Sequence, residues 1–239
     1  MAKYIDELNY KMNLHGLDKK EQKEFYNIIK PIFNHEEFQK RLDNSKYPHH
    51  GNTSLGSHIL SDAIETYIIV KSKNKKGKNI NLKLAVIIAM CHDLYELPWQ
   101  NSGRKESRFT NKHGFTHPLE ATINACTWFP EYFKNLKESA IIIDGILHHM
   151  YPLPVRSLDN SDAELNNSKK LEQLDERLVL LIKELSNRKK IGTVSFTRSK
   201  YQEGRIVSYA DKTVTIKSDK LSLKGYKALL TGKNDELKK

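Results

Sequence analysis

Apolar and polar positions follow a helical period along most of this chain. Residues 19–33 (KKEQKEFYNIIKPIF) put Phe25, Ile28, Ile29 and Ile32 on one face, with Pro31 expected to kink or end its turn. A short helix from His35 to Leu42 is predicted behind Asn34 as N-cap, and residues 44–56 (NSKYPHHGNTSLG) read as a loop. His58 to Lys71 is predicted helical through Ile59, Leu60, Ala63, Ile64 and Ile68. Residues 81–93 are apolar on nearly every side after Lys83, the pattern of a helix buried at the centre of a bundle. A helix opening at Thr116-His117-Pro118 and ending near Pro130 follows, then one from Lys137 to His149. Residues 157–200 turn polar. They hold one amphipathic helix, Leu171 to Leu185, and a β-like piece, IGTVSFT. A last core helix is expected from Gly204 to Thr215, and the tail from Thr231 reads as loose. The expectation is an all-α bundle with a polar, partly irregular insertion at about 157–200 before its last core helix. Its parts are an N-terminal helical segment (1–46) packed on a core domain (47–217), and a C-terminal tail (218–239).

Composition supports a folded chain. Of 239 residues, 38% are hydrophobic, and the 11 glycines bring the apolar share to roughly 43%, enough for a real core. The longest apolar run, Leu84 to Cys91, is far shorter than the roughly 20 residues of a membrane helix, so no membrane partner is expected. The N-terminus carries no apolar signal stretch, and two cysteines, Cys91 and Cys126, argue for a reducing cytoplasm over a disulfide scaffold. The formal charge of +11 favours phosphate-bearing partners, although the lysines are spread along the chain rather than gathered in a stripe.

The histidines change the picture. His92 and Asp93 sit together at the end of the most apolar helix, where an ionisable pair is costly unless hydrogen-bonded or metal-bound. His58 opens the preceding helix, His117 the following one, His148 and His149 close the next, and Asp211 lies in the last. Helix ends of a bundle can gather these groups, and imidazole plus carboxylate is a ligand set for a divalent transition metal. So many ligands exceed one ion's first shell, which makes one or two ions the expectation, with Mn, Fe, Co, Ni, Zn or Mg all compatible. Neighbours on a helix diverge by about 100°, so His148 and His149 both serve only if the helix frays there. His113, before Gly114, is read as a loop residue beside the site.

In order and spacing, His58, His92-Asp93 and Asp211 resemble the HD superfamily of metal-dependent phosphohydrolases. SHILSDA is similar to the segment carrying that family's first metal histidine, AVIIAMCHD to the buried helix with the His-Asp pair, and IVSYADK to the helix with the last aspartate. HPLEA and ILHH are similar to extra histidine motifs of the two-metal branches, and the likeness covers about Tyr47 to Lys217. It implies a helical bundle and hydrolysis of a phosphomono- or phosphodiester, often of a nucleotide, by a metal-activated water. It also implies metal ligation by His58, His92, Asp93 and Asp211, with His117, His148 and His149 at a second ion bridged by Asp93. The departures narrow the substrate. HHMYPLP lacks the glycine of the Gly-Tyr-Pro motif of cyclic-dinucleotide phosphodiesterases, and Ser54 stands where some three-metal members carry glutamate. His92-Asp93-Leu94-Tyr95-Glu96 has the His-Asp-x-x-Glu spacing of the family's deoxynucleotide phosphatases, which makes Glu96 a catalytic candidate beside Asp93. Leu97 replaces the aspartate that follows that glutamate in the guanosine-tetraphosphate hydrolases.

Substrate contacts are expected from His50 at the mouth, from Arg104 and Arg108 in the loop before His117, and from Lys212 beside Asp211. Two rival readings stand beside a nucleotide phosphohydrolase. One is a nuclease on the same site, which the +11 charge favours and the missing aromatic-interleaved basic stripe disfavours. The other is a nucleotide- or metal-binding protein without turnover.

Overall fold

The computed structural model describes residues 4–49, 53–96, 113–158 and 168–218. It is mostly helical, as the periodicity implies. Its helices are α1 (Ile5–Leu14), α2 (Lys19–Phe33), α3 (Glu36–Arg41), α4 (Leu55–Lys75), α5 (Leu82–Cys91), α6 (His113–Trp128), α7 (Leu136–Leu147), α8 (Ser168–Leu171), α9 (Glu176–Ser186) and α10 (Gln202–Ser218). A 3-10 turn, Pro130–Phe133, links α6 to α7. The insertion holds three two-residue strands, β1 (Val155–Arg156), β2 (Lys190–Ile191) and β3 (Val194–Ser195), antiparallel in the order β1-β3-β2. The β-like piece is thus a hairpin that turns at Gly192 with φ of +60°. Among the described residues no helix is long and apolar enough to cross a membrane.

Side-chain caps explain where the helices begin. Asp18 accepts from the Glu21 amide while Glu21 reaches back to the Asp18 amide, a complete capping box for α2. Ser54 caps α4, Asn81 caps α5 and Asn135 caps α7. Several boundaries differ from expectation for local reasons. His35, not Asn34, caps α3, its Nδ1 accepting from the Glu37 amide, while Asn34 closes α2. Pro31 sits inside the last turn of α2 without ending it. Helix α6 starts a full turn before Pro118, so His117 lies in its second turn and His113 and Gly114 are helical, not loop. The predicted 171–185 helix is shorter at its front, because Asp175 caps a new start at Glu176.

One apolar cluster runs from Leu8 of α1 through α2, α4, α5, α6 and α7 to Val207 of α10. Helix α5 is its axis. Every residue from Leu84 to Cys91 is buried, and α5 packs against α2, α4, α7 and α10. The N-terminal helices belong to this same cluster. Two glycines let α5, α7 and α10 approach. A Cβ at Gly145 would stand 2.7 Å from Ile88 Cδ1, and one at Gly204 would stand 2.6 Å from the Gly145 Cα. Backbone therefore meets backbone where α10 crosses α7, and this close crossing sets Asp211 against the ends of α4, α5 and α7. The tail from Thr231 lies outside the described residues.

Candidate metal centre

Helix α5 ends at Cys91, and the chain turns away with His92 still in helical backbone geometry. That turn is held from three sides. Asn124 of α6 donates to the Leu94 carbonyl at 2.7 Å, and Glu120 accepts from the Glu96 amide at 2.9 Å. Buried Arg41 of α3 donates Nε and Nη2 to the Tyr95 carbonyl while Nη1 bonds the Glu37 carbonyl. Its guanidinium lies between the rings of Tyr47 and Trp128, with centroids at 4.9 and 4.7 Å. Asp93 is thus fixed by its neighbours' backbone, and its carboxylate is left free to face the histidines.

Asp93 faces two separate groups. Its Oδ1 lies 3.2 Å from His117 Nε2 and 3.5 Å from His149 Nε2. Its Oδ2 lies 3.6 Å from His92 Nε2 and 4.0 Å from His58 Nε2, and His58 Nε2 is 3.2 Å from Asp211 Oδ1. Helices α4, α5, α6, α7 and α10 and their ends therefore deliver six groups to one buried point. His58, His92 and Asp211, and likewise His92, Asp93 and His149, are close enough to hold a metal ion.

The imidazoles are pre-oriented. Each of His92, His117 and His149 gives Nδ1–H to a carbonyl in the preceding turn, those of Ala89, His113 and Ile146, at 2.7, 2.9 and 2.7 Å. This assignment of the proton follows from the carbonyls, which can only accept. Nε2 of each ring is then a lone-pair acceptor aimed at the centre. His117 Nε2 and His149 Nε2 lie 3.1 Å apart, and two acceptors at that distance repel unless a cation sits between them. His149 resists a second proton, because burial, with His92 and His117 nearby, outweighs Asp93 and pulls its pKa down to about 4. His92 Nε2 is buried with no hydrogen-bond partner. Two buried carboxylates, convergent lone pairs and an orphaned imidazole nitrogen fit a divalent cation with nitrogen and oxygen ligands.

The electrostatics point the same way. Burial raises the Asp93 pKa, but the imidazoles of His92, His117 and His149 around it overcome this and hold the carboxyl well below its ordinary range. Asp211 is likewise lowered against burial by His58 and His92. Burial lowers His58, yet Asp211 and Asp93 prevail and its pKa ends above the ordinary value.

The remaining candidates lie elsewhere. His148, the cap of α7, gives Nδ1–H to the Asp144 carbonyl at 2.9 Å, and its side chain faces the Asp144 carboxylate, so the structure brings His149 and not His148 to Asp93. The two rings diverge as helical neighbours must. Glu96 is half-exposed and paired with Lys170, which also donates to Asn124 Oδ1 at 2.7 Å and lies over the Trp128 ring. Glu96 lies past the end of α5 at Cys91, and the structure places it beside Lys170 rather than among the histidines. The half-buried Lys212 donates its ammonium to the His149 carbonyl at 3.0 Å and to the carbonyl and hydroxyl of Ser208 at 2.8 Å each, which makes it a brace for the α7 end. Burial lowers its pKa despite Asp211 and Asp62. His50, Arg104 and Arg108 lie outside the described residues. Ser54 is the N-cap of α4. His113 stacks on His117 with ring centroids 4.9 Å apart, and Tyr95 packs edge-on against both.

Two carboxylates escaped the sequence reading. Asp144 is fully buried on α7, pairs with Arg188, and accepts from Ser199 Oγ at 2.6 Å and the Lys200 amide at 2.7 Å, tying the entry of α10 to α7. Asp62 is fully buried on α4, four residues after His58, with Oδ2 3.4 Å from His92 Nδ1. Burial first, then Asp211, raises its pKa well above the ordinary carboxylate range. The available signal for both was an acidic residue on the otherwise apolar face of its helix. Comparison of the chain with protein-family models, with curated proteins and with solved structures finds no match in any of the three.

Proposed function

We propose that this chain is a metal-dependent phosphohydrolase of the HD type, cleaving a phosphomono- or phosphodiester, with a nucleotide as the substrate class. One observation carries the reading most directly. Asp93 turns one oxygen to His117 and His149 and the other to His58 and His92, so these residues would be able to hold divalent cations on both sides of one carboxylate. Such ions would supply Lewis-acid polarisation of the phosphoryl oxygens and activation of the attacking water.

The chain's own residues prepare that chemistry. Carbonyls of Ala89, His113 and Ile146 fix the imidazole tautomers, so no ring has to reorient on loading. Lys212 braces the His149 backbone, and Arg41 and Asn124 fix the turn that carries Asp93. Charge +11 draws an anionic substrate toward the centre. The pairing of Glu96 with Lys170 supports a second reading, a metal- or nucleotide-binding protein without turnover, since it engages the carboxylate that the resemblance offers as proton acceptor.

A hydrolysis screen separates the two. Protein stripped and reloaded with Mn, Fe, Co, Ni, Zn or Mg is offered p-nitrophenyl phosphate, its bis-ester and a nucleotide panel, with Asp93→Ala as control. Turnover that depends on metal and vanishes in the variant is expected. Metal uptake without turnover on any substrate would move the conclusion to the binding protein, and no uptake at all would overturn both.

A further inference from the structure

Asp62 is an anomaly of the core. It is fully buried, and neither carboxylate oxygen has a hydrogen-bond partner. Taking a carboxylate out of water without hydrogen bonds costs several kcal/mol, so a side chain left in this state needs a reason beyond packing. Its surroundings show where it acts. Asp62 lies one turn beyond His58 on α4, so its side chain and that of His58 share a face. Its Oδ2 lies 3.4 Å from Nδ1 of His92, the nitrogen that already gives its proton to the Ala89 carbonyl at 2.7 Å. The opposite nitrogen of that ring, Nε2, is the orphan that faces Asp93 and Asp211 at 3.6 and 4.0 Å.

We propose that Asp62 is the positioning carboxylate of the metal centre, acting through His92. It stands behind the ring on the side away from the cluster, with Oδ2 3.4 Å from Nδ1, and as the ionised carboxylate it would raise the donor strength of Nε2 toward a bound cation. This inference rests on the metal centre proposed above. It adds the residue that tunes it. A histidine ligand backed by a carboxylate binds metal more tightly than one backed by a carbonyl alone, and losing such a partner costs on the order of 10–100-fold in affinity. Asp144 plays the contrasting part. It too faces a histidine Nδ1, that of His148, but Arg188, Ser199 and Lys200 satisfy its oxygens, which makes it a structural hub. Asp62 has no such set.

The test uses the full chain with Asp62→Asn, nearly the same shape without the charge, and Asp62→Leu as a second variant should the amide disturb the core. Co(II) affinity and the visible Co(II) spectrum are measured beside the melting temperature of the metal-free protein. The expected result is a pair of opposite signs: Co(II) affinity about 10–100-fold weaker with a changed spectrum, and a metal-free melting temperature no lower than wild type. A purely structural Asp62 gives the reverse, a lower melting temperature with Co(II) affinity unchanged, and overturns the proposal. Unchanged affinity and spectrum with any melting temperature also overturn it. Wild-type protein that takes up no Co(II) removes the metal centre itself, and Asp62's role with it, an outcome distinct from a failure confined to the variants.

Discussion

A methyl group at Gly204 would stand 2.6 Å from the Cα of Gly145, more than 1 Å inside ordinary contact between carbon atoms. The obstacle is backbone of a packed helix, and the Ser199 side chain closes the other side, so no rotamer relieves the overlap. Gly204→Ala therefore forces α10 away from α7 by about 1 Å. Overpacking of this kind costs about 1–3 kcal/mol, and a clash with backbone belongs in the upper half of that range. Alanine's better helix propensity returns up to about 1 kcal/mol, leaving a net loss of about 1–2 kcal/mol. At about 2–4 °C per kcal/mol for a chain of this length, the melting temperature should fall by about 2–8 °C. Since α10 also carries Asp211, metal affinity should fall with it. Gly114→Ala is the control, because its nearest neighbour, Leu153 Cδ1, lies 3.9 Å away and the helix should gain up to about 1 kcal/mol. Thermal unfolding and a Co(II) titration on both variants suffice. A Gly204→Ala protein that melts with wild type and binds Co(II) equally well would refute the claim that this crossing sets the site.

Other outcomes follow from the same contacts. Arg41→Met leaves the buried Tyr95 carbonyl without its donors and should cost about 2–4 kcal/mol in urea unfolding, since hydrogen bonds from charged groups are worth about 1.5–3 kcal/mol each; no change in the midpoint would show the carbonyl rebonds. Burial raises the Asp144 carboxyl, but its bonds to His148 and Ser199 and the charge of Arg188 hold it below the ordinary value, so its stabilisation is complete above about pH 4 and is lost as pH falls through the lowered native pKa. Wild type should then lose more stability between pH 5 and 3 than Asp144→Asn, and parallel curves would contradict this. Burial pushes the thiols of Cys91 and Cys126 up, so neither should react with a disulfide reagent at pH 8 until the chain unfolds. If Asp93 bridges two ions, His149→Ala should lower the metal content from two equivalents to one by elemental analysis, whereas His148→Ala should leave it unchanged.

The helical elements were legible because apolar residues recur at helical spacing, and α5 announced itself as the axis through an unbroken apolar run. The grouping of His58, His92, Asp93, His117 and His149 with Asp211 was legible because the first five fall near helix ends and Asp211 lies in the last helix of the bundle. Helix boundaries were not, since they depend on caps such as His35 and Asp175 whose side chains compete with equally good neighbours. Glu96 and Lys212 have structural partners that sequence spacing does not show, for a shared reason. Sequence spacing assumes the helix continues or the side chain is free, whereas α5 stops at Cys91 and the Lys212 ammonium is claimed by the end of another helix. Asp62 and Asp144 stayed hidden because a lone acid in an apolar stretch looks the same in sequence whether its partners exist or not. Three-dimensional neighbours separate them, with Arg188 and Ser199 bonded to one and, among the described residues, no hydrogen bond to the other.

The order in which the ligands leave the ribosome bears on how the centre fills. His58 and Asp211 are 153 positions apart. At about 5–20 residues per second, roughly 8–30 s separate their synthesis. Asp93, His117 and His149 are all made before Asp211, and the carbonyls that orient the two later rings precede them in the chain. One half of the centre therefore has its ligands in hand while the other still lacks Asp211. The brace from Lys212 to the His149 carbonyl arrives with that same final helix. Docking of α10 is then the step that closes the centre. If the centre takes metal as proposed, an ion caught early by the nascent chain would meet the His117–His149 side first, without its brace, until the last helix packs.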